Sequence, residues 1–194
     1  VSYIEPNSKS NRGSQLFYLV LGGVIFIIFG KALEIDINNI QPLQIITYIF
    51  TILYVSVLMI IAGIDQKLLK MEKSVITAGI ILSILYMIYM FVIETISLNT
   101  SIIYLGIYII LIAIDTFIIK RYAKNSYTTG ILMLFNIMLI FTGIEVFTYT
   151  IILTALEILV SLIISKIKQN QNGNKKIRLS NIPVGYFLCV SNLL

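Results

Sequence analysis

The chain has no histidine, one cysteine and three prolines among its 194 residues. Without histidine it cannot use His-assisted serine or cysteine catalysis, the usual zinc-protease helix or a His-based proton relay. The lone Cys189 cannot form an internal disulfide or a cysteine-based metal site, and in an apolar run it is expected to be a packing residue. A Gly-rich phosphate loop after a strand is also absent. We therefore expect no cofactor and no metal, and any hydrolysis would have to rely on carboxyl groups.

Charge is scarce as well, at 12% of residues against 58% hydrophobic ones. Such a chain is too apolar to be covered with water-compatible surface. It is predicted to be an all-α polytopic membrane helix bundle, a single transmembrane domain over residues 1–194. A helix needs about 20 residues to cross about 30 Å of hydrocarbon. We expect six full transmembrane helices and a partial seventh, over residues 15–30, 43–64, 74–93, 101–119, 128–144 and 146–165, with a shorter run from Ile182.

The Lys and Arg residues predict the orientation, because all except Lys31 fall in alternate gaps between these runs. Basic residues collect in cytoplasmic loops. The N-terminal segment, residues 1–14, and the loop at 166–180 are therefore expected in the cytoplasm, with a tight turn near Gly143 outside. Basic groups beside anionic headgroups of the inner (plasma) membrane explain the net charge of +5 without any nucleic acid. Because the chain starts at Val1 rather than at Met, we expect that one or both ends are trimmed.

Most of the nine acidic residues lie at loops or span ends, where solvated charge accounts for them. Asp65, Asp115 and Glu157 instead lie in the cytoplasmic halves of their helices. An ionisable group inside a span costs on the order of 3 kcal/mol, so it is a functional candidate. Each has a structural alternative. Asp65 could be an interfacial acid balanced by lysines, and Asp115 a buried or neutralised acid. Glu157 could be hydrogen-bonded to a Thr or Asn such as Asn136.

Two segments carry a resemblance to a known family. Ile60-Ile61-Ala62-Gly63-Ile64-Asp65-Gln66-Lys67 closes one apolar run, and Ile182-Pro183-Val184-Gly185-Tyr186-Phe187-Leu188 opens the last one. In this order they resemble the first aspartate motif and the last span of type IV prepilin peptidases. The resemblance implies an aspartic-type endopeptidase that cuts prepilin or pseudopilin leader peptides at the cytoplasmic membrane face. Its partners would be a membrane-embedded leader helix and the lipid bilayer, and Asp65 would be the first of two catalytic aspartates.

The second aspartate of that family lies in a Gly-x-Gly-Asp motif, and the corresponding stretch here, residues 124–131, contains no acid. The family needs two carboxyl groups because a protonated one polarises the carbonyl while an ionised one takes a proton from water. Either Asp115 replaces the missing acid, or the chain is a degenerate member that binds a leader helix without cutting it. Degeneracy is favoured, because Asp115 lies well before the expected position on a helix of opposite direction. An acid at Gly130 is then predicted to restore cleavage.

A methyltransferase activity is not expected, because the paired Cys-x-x-Cys motifs of many family members are missing. The rival class is a non-enzymatic membrane protein, such as a substrate-binding subunit of a transporter. Asp115 and Glu157 would then line a polar ligand cavity or a cation path. A peptidase needs two carboxyl groups a few ångströms apart beside a path from the membrane, whereas a binding subunit needs an enclosed pocket of ligand size.

Overall fold

The computed structural model describes residues 42–114, 116–117, 126–172 and 182–194, with the side chains of 126 and 165–172 excepted. These ranges contain helices and no strand, which confirms the all-α prediction. The helices are α1 (Pro42–Leu68), α2 (Lys73–Val92), α3 (Leu98–Ile114), α4 (Ser126–Asn172) and α5 (Val184–Leu193).

The chain forms two compact units, Val1–Ile52 and Leu53–Leu194. In the first unit, the structure describes only the beginning of α1, where the Thr47 and Thr51 hydroxyls donate to carbonyls four residues earlier. The second unit contains the rest of α1 and the other helices. It also contains every side chain of the candidate site described below.

Three of the described helices are long and apolar enough to cross a membrane: Pro42–Leu68, Lys73–Val92 and Tyr127–Ile164. Helices α3, with 17 residues, and α5, with 10, are shorter. A membrane protein is thus indicated, but these lengths do not support six full spans. The predicted run 15–30 and the N-terminal segment 1–14 lie outside the described residues. The predicted cytoplasmic loop at 166–180 is helical over residues 166–172, where α4 continues, and the rest of it lies outside the described residues.

Helix α4 consists of two arms that meet at Gly143. This glycine has φ 74° and ψ 172°, a backbone conformation that is essentially restricted to glycine. The rings of Phe135 and Phe147 lie on either side of it with centroids 5.6 Å apart. In a straight helix those residues would be separated by about 18 Å along the axis. The chain therefore reverses at Gly143, and the first arm (residues 126–142) packs beside the second arm (residues 144–172), as the predicted tight turn requires.

A stack of aromatic rings joins three helices in the core. The ring of Phe141, on the first arm, lies 4.2 Å from that of Tyr54 on α1 and 4.4 Å from that of Tyr86 on α2, and both pairs are nearly parallel. Helix α2 also approaches the first arm closely at Gly79, where an added Cβ would lie 2.7 Å from a methyl group of Ile137. Small residues commonly permit such close packing of apolar helices in membranes.

Two contacts of α1, one near its middle and one near its end, define the direction of its neighbour. Tyr54 stacks on Phe141, whereas Asp65, eleven residues later, is hydrogen-bonded to Tyr127 near the start of α4. The first arm of α4 is therefore antiparallel to α1, and the second arm runs parallel to it. Between α1 and α2, a short loop over residues 69–72 begins at Leu69, which has a positive φ of 49°. This loop brings Met71 back against the helices, where it is 5% exposed.

Candidate functional site

The candidate site is built around Asp65, three residues before the end of α1. Its side chain has no exposed surface, and it is the one charged side chain among the buried residues that the structure describes. Its neighbours Lys67 and Lys70 are exposed, and Lys70 pairs with Glu72 at 3.5 Å. The alternative of an interfacial acid balanced by lysines is therefore wrong, because Asp65 is buried in the bundle rather than solvated beside those ammonium groups.

The carboxyl group of Asp65 lies at the beginning of α5. Its Oδ2 accepts a hydrogen bond of 2.8 Å from the backbone N–H of Tyr186. The first N–H groups of a helix have no partner within the helix. Pro183, the residue that precedes α5, provides no side-chain cap. Asp65 thus satisfies an N–H group that α5 cannot satisfy by itself, and an acceptor with negative character also suits the positive end of the helix dipole.

Tyr127 is the second side chain of this arrangement. Its hydroxyl donates to Asp65 Oδ2 at 3.0 Å and accepts a weaker hydrogen bond of 3.4 Å from the N–H of Gly185. We call Asp65, Tyr127, Gly185 and Tyr186 the Asp65 site. It joins α1, the first arm of α4 and α5. Tyr127 lies within residues 124–131, the stretch in which the resemblance placed a second acid, so a phenol contacts Asp65 from that stretch.

Met71 packs against this site. A Cβ added to Gly185 would lie 2.0 Å from Met71 Cε and 3.0 Å from Asp65 Oδ2. A Cβ added to Gly130 would lie 2.4 Å from Met71 Cβ. The methionine therefore lies between two glycines that have no room for a side chain. The repair by an acid at Gly130 stays a prediction, and the new side chain would have to displace Met71.

One oxygen of the acid has no hydrogen-bond partner among the described residues. Oδ1 of Asp65 is buried and receives no hydrogen bond from any described residue. A buried polar atom without a partner costs about 1–3 kcal/mol, which makes it a candidate for binding or chemistry. None of the hydrogen bonds that Asp65 forms within the described part of the chain comes from a second carboxyl group. Asp115 lies outside the described residues.

Glu157, on the second arm of α4, has a different neighbour from the one suggested by the sequence. Its Oε2 accepts a hydrogen bond of 3.0 Å from the hydroxyl of Ser191 on α5. Asn136 instead donates to the carbonyl of Leu132 in its own helix, at 3.5 Å. The suggested Asn136 partner is therefore wrong, because α5 is the helix that covers Glu157. A groove of about 600 Å³, which we call the Glu157 groove, lies between the second arm and α5 and is open on one side.

The far end of α5 is held by amide and hydroxyl groups. Asn192 accepts a hydrogen bond from the Tyr54 hydroxyl and donates one of 3.0 Å to the hydroxyl of Thr150. Helix α5 thus runs antiparallel to α1, with Tyr186 beside Asp65 and Asn192 beside Tyr54. Cys189, between these two contacts, is completely buried, as expected for a packing residue.

The remaining described acids have ordinary surroundings. Glu94 and Glu145 are exposed, as the sequence predicted for loops and span ends. Over the ranges that the structure describes, no group of three or more His, Cys, Asp or Glu side chains could hold a metal ion. The residues that sequence reasoning missed are Tyr127, Met71 and Ser191. Residue type alone did not single them out, because hydroxyl and thioether side chains are common in apolar helices. The one sequence signal for any of them was the position of Tyr127 within residues 124–131.

No protein-family model matches the chain, no curated protein is significantly similar to it, and no solved structure matches its fold.

Proposed function

We propose that this chain is a prepilin-peptidase-like membrane protein that binds the leader helix of a type IV prepilin or pseudopilin at the Asp65 site. The observation that carries the proposal is the 2.8 Å hydrogen bond from the Tyr186 N–H to Asp65 Oδ2. The two segments of the resemblance, at residues 60–67 and 182–188, are far apart in the sequence. A shared site requires them to be neighbours, and their contact supports this reading.

The proposal is for binding without cleavage. Hydrolysis by a carboxyl pair requires a second acid near the first and a water molecule that reaches both. Oδ2 of Asp65 is occupied by a phenol and a backbone N–H, and neither of these partners is a second acid. These features favour the degenerate reading over an active aspartic-type endopeptidase. The competing reading, with Asp115 as second acid, requires the two carboxyl groups to approach within about 3–5 Å.

The proposed topology has six crossings and a partial seventh in the inner membrane, with a cytoplasmic N-terminus. Two features support it. The chain reverses direction at Gly143 within α4. The segment Tyr127–Ile164, which is one span when counted by length, can therefore correspond to two crossings. The loop at residues 69–72, which is flanked by Lys67 and Lys73, lies at the same end of the bundle as Tyr127. The basic loops would therefore share one side of the membrane, as the positive-inside rule requires.

The test uses the purified full chain in lipid nanodiscs and a labelled peptide that contains a prepilin leader and its apolar helix. Asp65→Asn should weaken peptide binding by about tenfold or more, since a lost hydrogen bond to a charged group costs about 1.5–3 kcal/mol. Glu72→Gln is the matched control, because it removes a solvated acid at the same end of α1. No cleavage is expected at any pH between about 5 and 8.

The variant Tyr127→Phe distinguishes a purely structural role of Asp65 from a role in peptide binding. It removes a hydrogen bond to Asp65 and leaves the carboxyl group in place. Tyr127→Phe should lower the free energy of unfolding by about 1 kcal/mol and preserve most of the peptide binding. Equal loss of binding in Tyr127→Phe and Asp65→Asn would show that Asp65 merely caps α5. Prepilin turnover that disappears in both Asp65→Asn and Asp115→Asn would contradict the non-cleaving reading.

A second candidate function is the substrate-binding subunit of a transporter. The observation that favours it is the Glu157 groove, whose volume of about 600 Å³ lies within the range of small-molecule sites. The groove is open, whereas an enclosed pocket was expected for this class. Small-molecule binding that is insensitive to Asp65→Asn, together with no affinity for the leader peptide, would favour the transporter reading.

A further inference from the structure

The Glu157 groove combines a carboxyl group with an apolar wall. Leu156, Val160 and Ile164 form part of the wall and are 53%, 55% and 48% exposed. Successive members are four residues apart, so they lie on one face of the second arm. This ridge is about 12 Å long at 1.5 Å per residue. It therefore offers an extended apolar surface of the kind that an alkyl chain can cover.

The polar part of the groove is acidic. Glu157 lines it, and Ser161, one turn further along the same arm, adds a hydroxyl group. Glu157 Oε2 is held by the Ser191 hydroxyl at 3.0 Å, and no described residue forms a hydrogen bond with Oε1. Among the side chains that the structure describes, none that lines the groove carries a positive charge. A carboxyl group in an apolar helix is costly unless it is paired, so the groove is complementary to a cation.

Two aromatic rings lie opposite this wall. Tyr186 and Phe187, at the start of α5, line the groove and contact each other edge to face, with centroids 5.4 Å apart. The faces of aromatic rings attract cations, and ammonium groups are commonly recognised by aromatic residues near a carboxylate. The hydroxyl of Ser161 can accept a hydrogen bond from a primary ammonium group.

We propose that the Glu157 groove binds a cationic amphiphile, with its ammonium head at Glu157 and its alkyl chain along Leu156, Val160 and Ile164. The volume of about 600 Å³ suits a molecule of this size. A complete partner helix would be longer than this groove, and an anion would be repelled by Glu157. The site goes beyond leader binding at Asp65, although it shares Tyr186 with the Asp65 site.

The chain has no tryptophan, so Phe187→Trp creates a single fluorescent reporter within the groove. Dodecylammonium is added to this variant in nanodiscs of phosphatidylglycerol, and the response is plotted against its mole fraction in the bilayer. A saturable change is expected. Glu157→Gln, which still accepts a hydrogen bond from Ser191, should weaken binding about tenfold or more. Glu145→Gln is the matched control and should leave binding unchanged, because that acid is exposed and lies outside the groove.

Further probes distinguish the contribution of the ligand's ammonium head from that of its alkyl chain. Dodecanol should bind at least about tenfold more weakly than dodecylammonium, because it lacks the charge. Val160→Phe retains Glu157 but fills the groove, and it should abolish the response even if Glu157→Gln fails to fold. Dodecylammonium binding is measured in the absence of any leader peptide, so failure of the leader proposal would not affect this one.

Several results would overturn the proposal. They are equal affinities for dodecanol and dodecylammonium, an unchanged affinity in Glu157→Gln, or tighter binding of a transmembrane peptide with a central lysine. If nanodiscs of phosphatidylethanolamine alone change the reporter and prevent dodecylammonium binding, the ammonium group is supplied by a lipid headgroup. That result would support the proposed chemistry and identify its source.

Discussion

Gly185→Ala should destabilise the protein, because its new methyl group has no room. The added Cβ would lie 2.0 Å from Met71 Cε and 3.0 Å from Asp65 Oδ2. Adding one methyl group to a tightly packed interior typically costs about 1–3 kcal/mol. Gly63→Ala is the matched control in α1, two residues before Asp65, because a Cβ there meets nothing within 4 Å. It should be neutral or stabilising by up to about 1 kcal/mol, since alanine favours helices more than glycine does.

The same contact predicts a rescue. Met71→Ala alone should cost about 2–5 kcal/mol, because it empties a buried site. It also removes the Cε atom, so Gly185→Ala should cost much less in that background, with a favourable coupling of about 0.5–3 kcal/mol. Met71→Ala should rescue Gly130→Ala much less. The methyl group at Gly130 would lie 2.4 Å from Met71 Cβ, which alanine retains.

Unfolding by sodium dodecyl sulfate in mixed micelles, followed by circular dichroism, would measure these free energies. The decisive quantity is the difference between the rescue of Gly185→Ala and the rescue of Gly130→Ala by Met71→Ala. This difference distinguishes a clash with the end of the Met71 side chain from a clash with its Cβ. If Gly185→Ala costs no more than Gly63→Ala, or if Met71→Ala rescues Gly130→Ala and Gly185→Ala equally, Met71 does not pack between the two glycines as described.

Two further predictions concern the turn and the topology. Gly143→Ala should lower the free energy of unfolding by about 1–3 kcal/mol, because alanine rarely adopts the φ of 74° found there, whereas Gly106→Ala within α3 should cost nothing. A loss no larger for Gly143→Ala than for Gly106→Ala would refute the sharp turn. In a Cys189→Ser background, an impermeant thiol reagent added to intact cells should label a cysteine at Asn99 but not one at Gln66. The opposite pattern would reverse the orientation.

The positions of most helices could be predicted from the sequence. The predicted run 43–64 corresponds to α1, Pro42–Leu68, and the run 74–93 corresponds to α2, Lys73–Val92. These boundaries could be predicted because apolar runs end where charged residues begin. Within lipid, a helix is the structure that satisfies the hydrogen bonds of its own backbone. The turn near Gly143 was predicted for a similar reason, since Gly143 and Glu145 interrupt an otherwise continuous apolar run.

The candidate site was predictable only in part. Asp65 was selected as a candidate because of its position at the end of an apolar run, and the tail motif after Ile182 was identified only as a second part of the resemblance. Their contact, a 2.8 Å hydrogen bond from the Tyr186 N–H to Asp65, was not predicted from the sequence. Tyr127 and Met71 were missed, because their contribution depends on side chains that meet from different helices rather than on residue type.

Composition and the distribution of charge by themselves determined that this chain forms apolar helices with basic loops, because transfer between water and lipid depends on the local sequence. The tertiary structure alone decided which polar groups meet. It placed the hydroxyl of Tyr127, rather than a second described carboxyl group, against Asp65, and Ser191, rather than Asn136, against Glu157. Such pairings depend on the rotation and depth at which neighbouring helices pack, and those are determined by close contacts such as Met71 against Gly130 and Gly185.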